Sequence, residues 1–105
     1  MKIGSLVFPH GLFLGPMAGY TDFAMRTVCR GMGAEGLVSE MVSAKAVVFA
    51  DRKTIPLARV TKEELPIAVQ LFGHEPAVLA EAARTVAAGV GGGTPPSRID
   101  LNMGC

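Results

Sequence analysis

Four short apolar segments, residues 12–14, 37–39, 67–71 and 99–101, recur about every 25 to 32 positions, and the intervals between them hold stretches of helical composition. That spacing constrains the fold more than any other feature of the chain. Two parallel strands need a crossover of a dozen or more residues between them, so strands alternating with helices at this interval read as βαβ units around a parallel sheet. The fold class is α/β. The fourth segment lies in Arg98-Ile99-Asp100-Leu101-Asn102-Met103-Gly104-Cys105, at the end of the 105-residue sequence, with nothing after it to complete a further unit. We expect an N-terminal portion of a larger architecture.

The first connecting helix is expected to open at Thr21 or Asp22, either of which can cap free backbone N–H groups, and to end near Gly31 or Gly33. Met25, Val28, Cys29 and Met32 are spaced i, i+3, i+4 and i+7, which predicts a buried stripe with Cys29 as core filling and with Arg26 and Arg30 off that face. A second helix follows Pro76, which suits a first helical turn, and its expected buried face is Leu79, Ala82, Ala83, Val86 and Val90. The glycine- and proline-rich run at 89–97 reads as a flexible connection before the fourth strand. Residues 41–50 have helical composition, and 51–64 are more polar and interrupted by Pro56. Residues 3–8, Pro9-His10-Gly11 and 12–14 read as a hairpin feeding the first strand. No internal repeat or domain linker is evident.

Half of the residues are hydrophobic, 18% are charged, and 10 Lys plus Arg against 9 Asp plus Glu leave a formal charge of +1. This excludes a disordered tail and a basic nucleic-acid arm. Without an apolar run of membrane-spanning length, and without the features of a secretory signal in residues 1–13, the expectation is a soluble cytoplasmic protein with no membrane partner. Cys29 and Cys105 lie 76 positions apart, with no CxxC pair and no His at ligand spacing, so reduced thiols and no metal are expected.

Parallel α/β folds bind ligands beyond the C-terminal ends of their strands. Past the four segments come Gly15-Pro16-Met17-Ala18-Gly19-Tyr20-Thr21-Asp22, then Glu40-Met41, then Gln70-Leu71-Phe72-Gly73, then Asn102-Met103-Gly104-Cys105. Small residues at Ala18 and Gly19 let a flat ligand approach the backbone, Gln70 and Asn102 offer amide donors and acceptors, and Cys105 offers a proton or a nucleophile. The residues equally allow a plain turn at Pro16 and Gly19, a polar strand end at Gln70 and a loop start at Asn102. Spacing alone leaves both readings open.

Pro16-Met17-Ala18-Gly19 with Thr21-Asp22 and Arg26, then Ser39-Glu40-Met41-Val42-Ser43-Ala44, then Val69-Gln70-Leu71-Phe72-Gly73, then Asp100-Leu101-Asn102-Met103-Gly104-Cys105, resemble the tRNA-dihydrouridine synthase family in order and spacing. The resemblance covers residues 3–105, and its last motif is the most specific. It implies the first half of an FMN-binding (β/α)8 TIM barrel, about four strands, with the rest of the barrel and a C-terminal helical tRNA-binding domain lying beyond this chain. It implies flavin contacts at Pro16, Met17 and Ala18, a hydrogen bond from Gln70 to the flavin ring, Asn102 beside flavin and uracil, and Cys105 as the proton donor. The implied reaction reduces specific uridines of tRNA to 5,6-dihydrouridine, with hydride from reduced FMN to C6, a proton from Cys105 to C5, and NADPH or NADH as reductant. A monomer is expected. Small departures from the family pattern are Gly15 in place of Ala, Tyr20 in place of a small aliphatic residue, and an expanded loop at Gly91-Gly92-Gly93.

A proton donor needs a neutral thiol, and a free thiol with a pKa near about 8.5 meets that need without an activating His. His10 and His74 read as turn or surface residues. Arg26, Arg30, Arg52, Lys53 and Arg59 are candidates for phosphate contacts, though a balanced charge makes solvated surface the commoner role. Two other readings stand beside this one. A flavin-dependent barrel reductase of a free pyrimidine or other small molecule would share the same turn and amides, and a truncated 105-residue product would be inactive, flavin-free and aggregation-prone.

Overall fold

A computed structural model of the chain describes residues 1–104. Strands β1 (Lys2–Ile3) and β2 (Leu6–Val7) form a small antiparallel hairpin. Helix α1 (Phe23–Gly31) leads to β3 (Leu37–Ser43), α2 (Ala44–Val48), α3 (Ile55–Ala58) and a 3-10 turn at Lys62–Glu64. Then come β4 (Ile67–Phe72), α4 (Pro76–Ala87) and β5 (Arg98–Leu101). The longer strands make one parallel sheet in the order β3-β4-β5, with Leu37 opposite Ile67 and Ala68 opposite Arg98. Sequential parallel strands joined by helices are what the spacing predicts. Among the described residues the sheet is open rather than closed into a barrel. No helix among them is long and apolar enough to cross a membrane.

β4 is buried on both faces, as a central parallel strand should be. Ile67, Val69 and Leu71 pack against Ala82 and Val86 of α4 in the main core, while Ala68 and Gln70 lie on the opposite face. The expected face of α4 is thus found, with Leu79 and Ala83 partly buried, although Val90 joins the core from beyond the helix end.

Three expectations are corrected. Residues 12–14 form no full strand: only Phe13 bridges Gly36, flanked by the Leu14 N–H on the Gly36 carbonyl at 3.0 Å. Gly15-Pro16 ends the segment early because Pro has no N–H for a ladder. The hairpin closes through Gly4-Ser5 instead of Pro9-His10-Gly11, Gly4 taking a left-handed φ of 58°. β3 extends past residue 39 to Ser43, whose hydroxyl accepts the Ala46 N–H and caps α2, so the expected helix at 41–50 shrinks to Ala44–Val48.

The largest correction concerns α1. Asp22 caps it as expected, accepting the Met25 N–H at 2.9 Å, but its apolar stripe faces outward: Met25, Val28 and Met32 are 37%, 62% and 83% exposed. Cys29 is only half-buried. The buried residue is Arg26, 4% exposed, because it has acceptors to meet: Nε and Nη2 each lie 2.6 Å from Glu64 Oε1, and Nη1 donates to the Thr21 carbonyl at 2.8 Å. Arg30 likewise donates to the carbonyls of Ala34, Glu35, Glu64 and Pro66. Neither arginine is therefore available for phosphate. Arg52, Lys53 and Arg59 remain exposed.

The loop at 89–97 carries no helix or strand, yet it is tied down by the Thr94 N–H on the Val60 carbonyl at 2.8 Å. Gly93 lies so close beneath that a Cβ there would sit 2.6 Å from the same carbonyl oxygen. Gly93→Ala is expected to destabilise the full chain by about 1–3 kcal/mol, the usual cost of forced overpacking. Urea unfolding measures it, and an unchanged midpoint would refute the close approach.

Candidate active site

The turn after residues 12–14 is built around the Met17 carbonyl, which accepts the N–H groups of Tyr20 and Thr21 at 3.0 and 2.9 Å and the Thr21 hydroxyl at 3.1 Å. The same hydroxyl accepts the Met17 N–H at 3.0 Å, and Thr21 is fully buried. Gly19 turns the chain with φ 79°, and its N–H donates to Glu40 Oε1 at 2.6 Å. Pro16, Met17 and Ala18 thus form an exposed but tightly held ledge, fastened to the middle of β3 by Glu40 and to the core through Thr21, Arg26 and Glu64.

β3 carries an irregularity between Val38 and Met41, where the ladder to β4 shifts register. Bulges of this kind re-aim side chains near functional sites. Here Glu40 is turned towards the ledge, and the Ser39 hydroxyl replaces the missing ladder partner, accepting the Gln70 N–H at 3.1 Å and donating to the Glu40 carbonyl at 2.7 Å.

Gln70 and Asn102, separated by 32 positions, meet across β4 and β5. Gln70 is buried; its Nε2 donates to Asp100 Oδ2 at 2.6 Å and its Oε1 lies 3.4 Å from Asn102 Nδ2. The Asn102 oxygen accepts the Gly104 N–H at 2.9 Å, and its nitrogen also lies 3.7 Å from the Met41 sulfur. Towards the other end of the sheet, Arg98 lies over the rings of Phe8 and Phe13, 5.7 and 5.4 Å from their centroids. Burial lowers the pKa of that guanidinium, and the nearby Asp100 carboxylate works the other way.

Beside the amide pair opens a mainly apolar cavity of about 680 Å³, lined by Met41, Phe72, Leu101, Asn102 and Met103 among others. This is the size range of a cofactor pocket. A flat aromatic ring system needs apolar walls and a few fixed amides at its edge; of the two amides, Asn102 lines this cavity. Pro16, Met17, Ala18 and Gln70 do not line this cavity; the ledge stands across β3 from it. His74, set aside as a surface residue, is exposed at the cavity rim beside Glu75. His10 is at the far end, paired with Glu35 at 2.7 Å. Cys105 lies outside the described residues. Among those described, no cluster of His, Cys, Asp or Glu is arranged to hold a metal ion.

Asp100 and Glu40 stand within two of the sequence motifs, but the sequence assigned neither of them a role. Asp100 stands two residues before Asn102, hence on the same face of β5, and that period was a usable signal. Glu40 owes its direction to the irregularity in β3, which no local pattern announces.

The model of the family described as Dihydrouridine synthase (Dus) matches residues 13–105. A tRNA-dihydrouridine synthase B of Pseudomonas aeruginosa is 42% identical over all of this chain and 30% of its own length. A probable tRNA-dihydrouridine synthase of Treponema pallidum is 37% identical over the same shares, and one of Aquifex aeolicus is 41% identical over 90% of this chain and 28% of its own. The chain spans about 30% of the length of the first two of these relatives.

Proposed function

Because the chain belongs to the dihydrouridine synthase family, we propose that it forms the first part of an FMN-binding (β/α)8 barrel in a protein that reduces uridines of tRNA to 5,6-dihydrouridine in the cytoplasm. The observation that carries this reading is the meeting of Gln70, inside β4, with Asn102, just past β5, where Asn102 also lines an apolar cavity of about 680 Å³. The exposed apolar face of α1 supports the larger architecture, since so much uncovered apolar surface favours a further partner element. By the same argument, residues 1–105 alone are proposed to be inactive.

When bound, reduced FMN supplies the hydride that reaches C6 of the uracil, with NADPH or NADH as its reductant. Gln70 would hold the ring edge through its amide, and the ledge of Pro16, Met17 and Ala18 would provide a wall beside it. Asn102 orients the uracil. Cys105, acting in its neutral form, would give its proton to C5 as general acid. The target base must leave the tRNA stack to reach the strand ends, as base-modifying enzymes require. Arg52, Lys53 and Arg59 are exposed cations near α3 for tRNA phosphates, Arg59 while its Nε donates to the Gly91 carbonyl at 3.1 Å.

The test is purification of the full-length protein, its flavin spectrum, and dihydrouridine formation in unmodified tRNA with NADPH or NADH. Turnover of free uracil with none of tRNA would replace this reading by a small-pyrimidine reductase. Gln70→Leu is expected to raise the FMN Kd about tenfold, as loss of a buried amide hydrogen bond does, and to perturb the flavin absorption band. Unaltered affinity and spectrum would remove Gln70 from the flavin site.

A further inference from the structure

A carboxamide can turn end for end, exchanging donor and acceptor at little internal cost, so a buried amide shows a defined face to a ligand only when a neighbour decides which end points where. Asp100 decides it for Gln70. An ionised carboxylate has no proton to give, so the Gln70 atom 2.6 Å from Asp100 Oδ2 must be the nitrogen. Oε1 then faces Asn102 and only accepts, which turns the Asn102 nitrogen towards it at 3.4 Å. The Asn102 oxygen is left to receive the Gly104 N–H at 2.9 Å. Every hydrogen bond runs the same way, from Gly104 through Asn102 and Gln70 to Asp100. Its one charged member sets the direction. Gly104 takes a left-handed φ of 122° and immediately precedes Cys105.

We propose that Asp100 is a positioning residue, fixing the donor and acceptor ends of Gln70 and Asn102 and anchoring the turn into Cys105. It acts without touching the flavin or the base itself, and its catalytic consequence rests on the reading of those two amides given above. Arg98, on the same face of β5, lies over Phe8 and Phe13, so the short hydrogen bond of the carboxylate is the one from Gln70. Asp100→Asn keeps the volume but lets either end of the new amide face Gln70, which releases the direction of the whole chain of bonds.

The test uses the full-length protein and two readouts. The first is hydrogen exchange of the side-chain amides by 15N–1H NMR, with Gln70 and Asn102 assigned by the loss of their signals in Gln70→Glu and Asn102→Asp. One Gln70 proton is expected to be protected and shifted downfield in the wild-type protein, and Asp100→Asn to speed exchange at both amides about tenfold, as loss of a charge-assisted bond implies. Rapid exchange at Gln70 in the wild-type protein overturns the proposal even if the variant does not fold, and so does equal exchange in a folded variant. The second readout is FMN binding, expected about tenfold weaker in Asp100→Asn with an altered flavin spectrum. Unchanged affinity and spectrum overturn the proposal. A wild-type protein that binds no FMN overturns the flavin reading instead, and the exchange data then judge the role of Asp100 in orienting the amides.

Discussion

Replacing Cys105 by Ala in the full-length protein is expected to leave FMN bound and to slow dihydrouridine formation about 10²- to 10⁴-fold, the range that loss of a positioned general acid costs. On the proposed mechanism the thiol acts in its neutral form, so the wild-type rate should fall as pH rises through the thiol pKa, near about 8.5 for a free cysteine. That alkaline fall should be absent in Cys105→Ala. Single-turnover reduction of tRNA by the pre-reduced protein isolates the step from flavin reduction. An unchanged single-turnover rate would take Cys105 out of the mechanism, while loss of flavin from the variant would recast it as a binding residue.

The second large effect is on stability. Arg26 and Glu64 are 4% and 3% exposed, and Glu64 also accepts the Thr61 N–H at 2.7 Å and the Thr61 hydroxyl at 3.1 Å. Removing one partner of a buried pair leaves the other charge in place without compensation. Glu64→Ala is therefore expected to cost about 3–5 kcal/mol. Glu63→Ala, next in sequence but exposed, should stay within about 0.5 kcal/mol of the wild-type protein. Denaturant unfolding of the two variants side by side makes the comparison. Equal losses would show that the pair contributes nothing beyond an ordinary surface carboxylate. Because Arg26 also holds the Thr21 carbonyl, and Thr21 holds Met17 at both its N–H and its carbonyl, a folded Glu64 variant should bind FMN more weakly as well.

Helix α1 shows why a correct period can assign the wrong face. Met25, Val28, Cys29 and Met32 do form one stripe, but a period says only that a helix has two unlike sides. Which side is buried depends on what arrives opposite, and here it is Glu64, 38 residues further on, together with the carbonyls at Glu64 and Pro66. Residues 12–14 make a similar point about length. Their composition favours a strand, yet Gly15-Pro16 allows only the bridge at Phe13.

The elements whose causes are local were legible in the amino-acid order. The apolar run in β4, Pro76 at the start of α4, Asp22 at the cap of α1 and the spacing of the parallel strands all follow from propensity and period, which neighbouring residues settle among themselves. Gln70 and Asn102 stood out too as polar residues beside apolar runs, although only Asn102 lies past its strand; Gln70 is inside β4. What only the tertiary structure decided is how these residues face one another: the buried Arg26–Glu64 pair, Glu40 turned onto Gly19 by the irregularity in β3, and Asp100 setting the direction of two amides. Burying a charge or orienting an amide is decided by a partner's distance and chemistry. Those partners lie 21 to 38 positions away, beyond the reach of any local pattern.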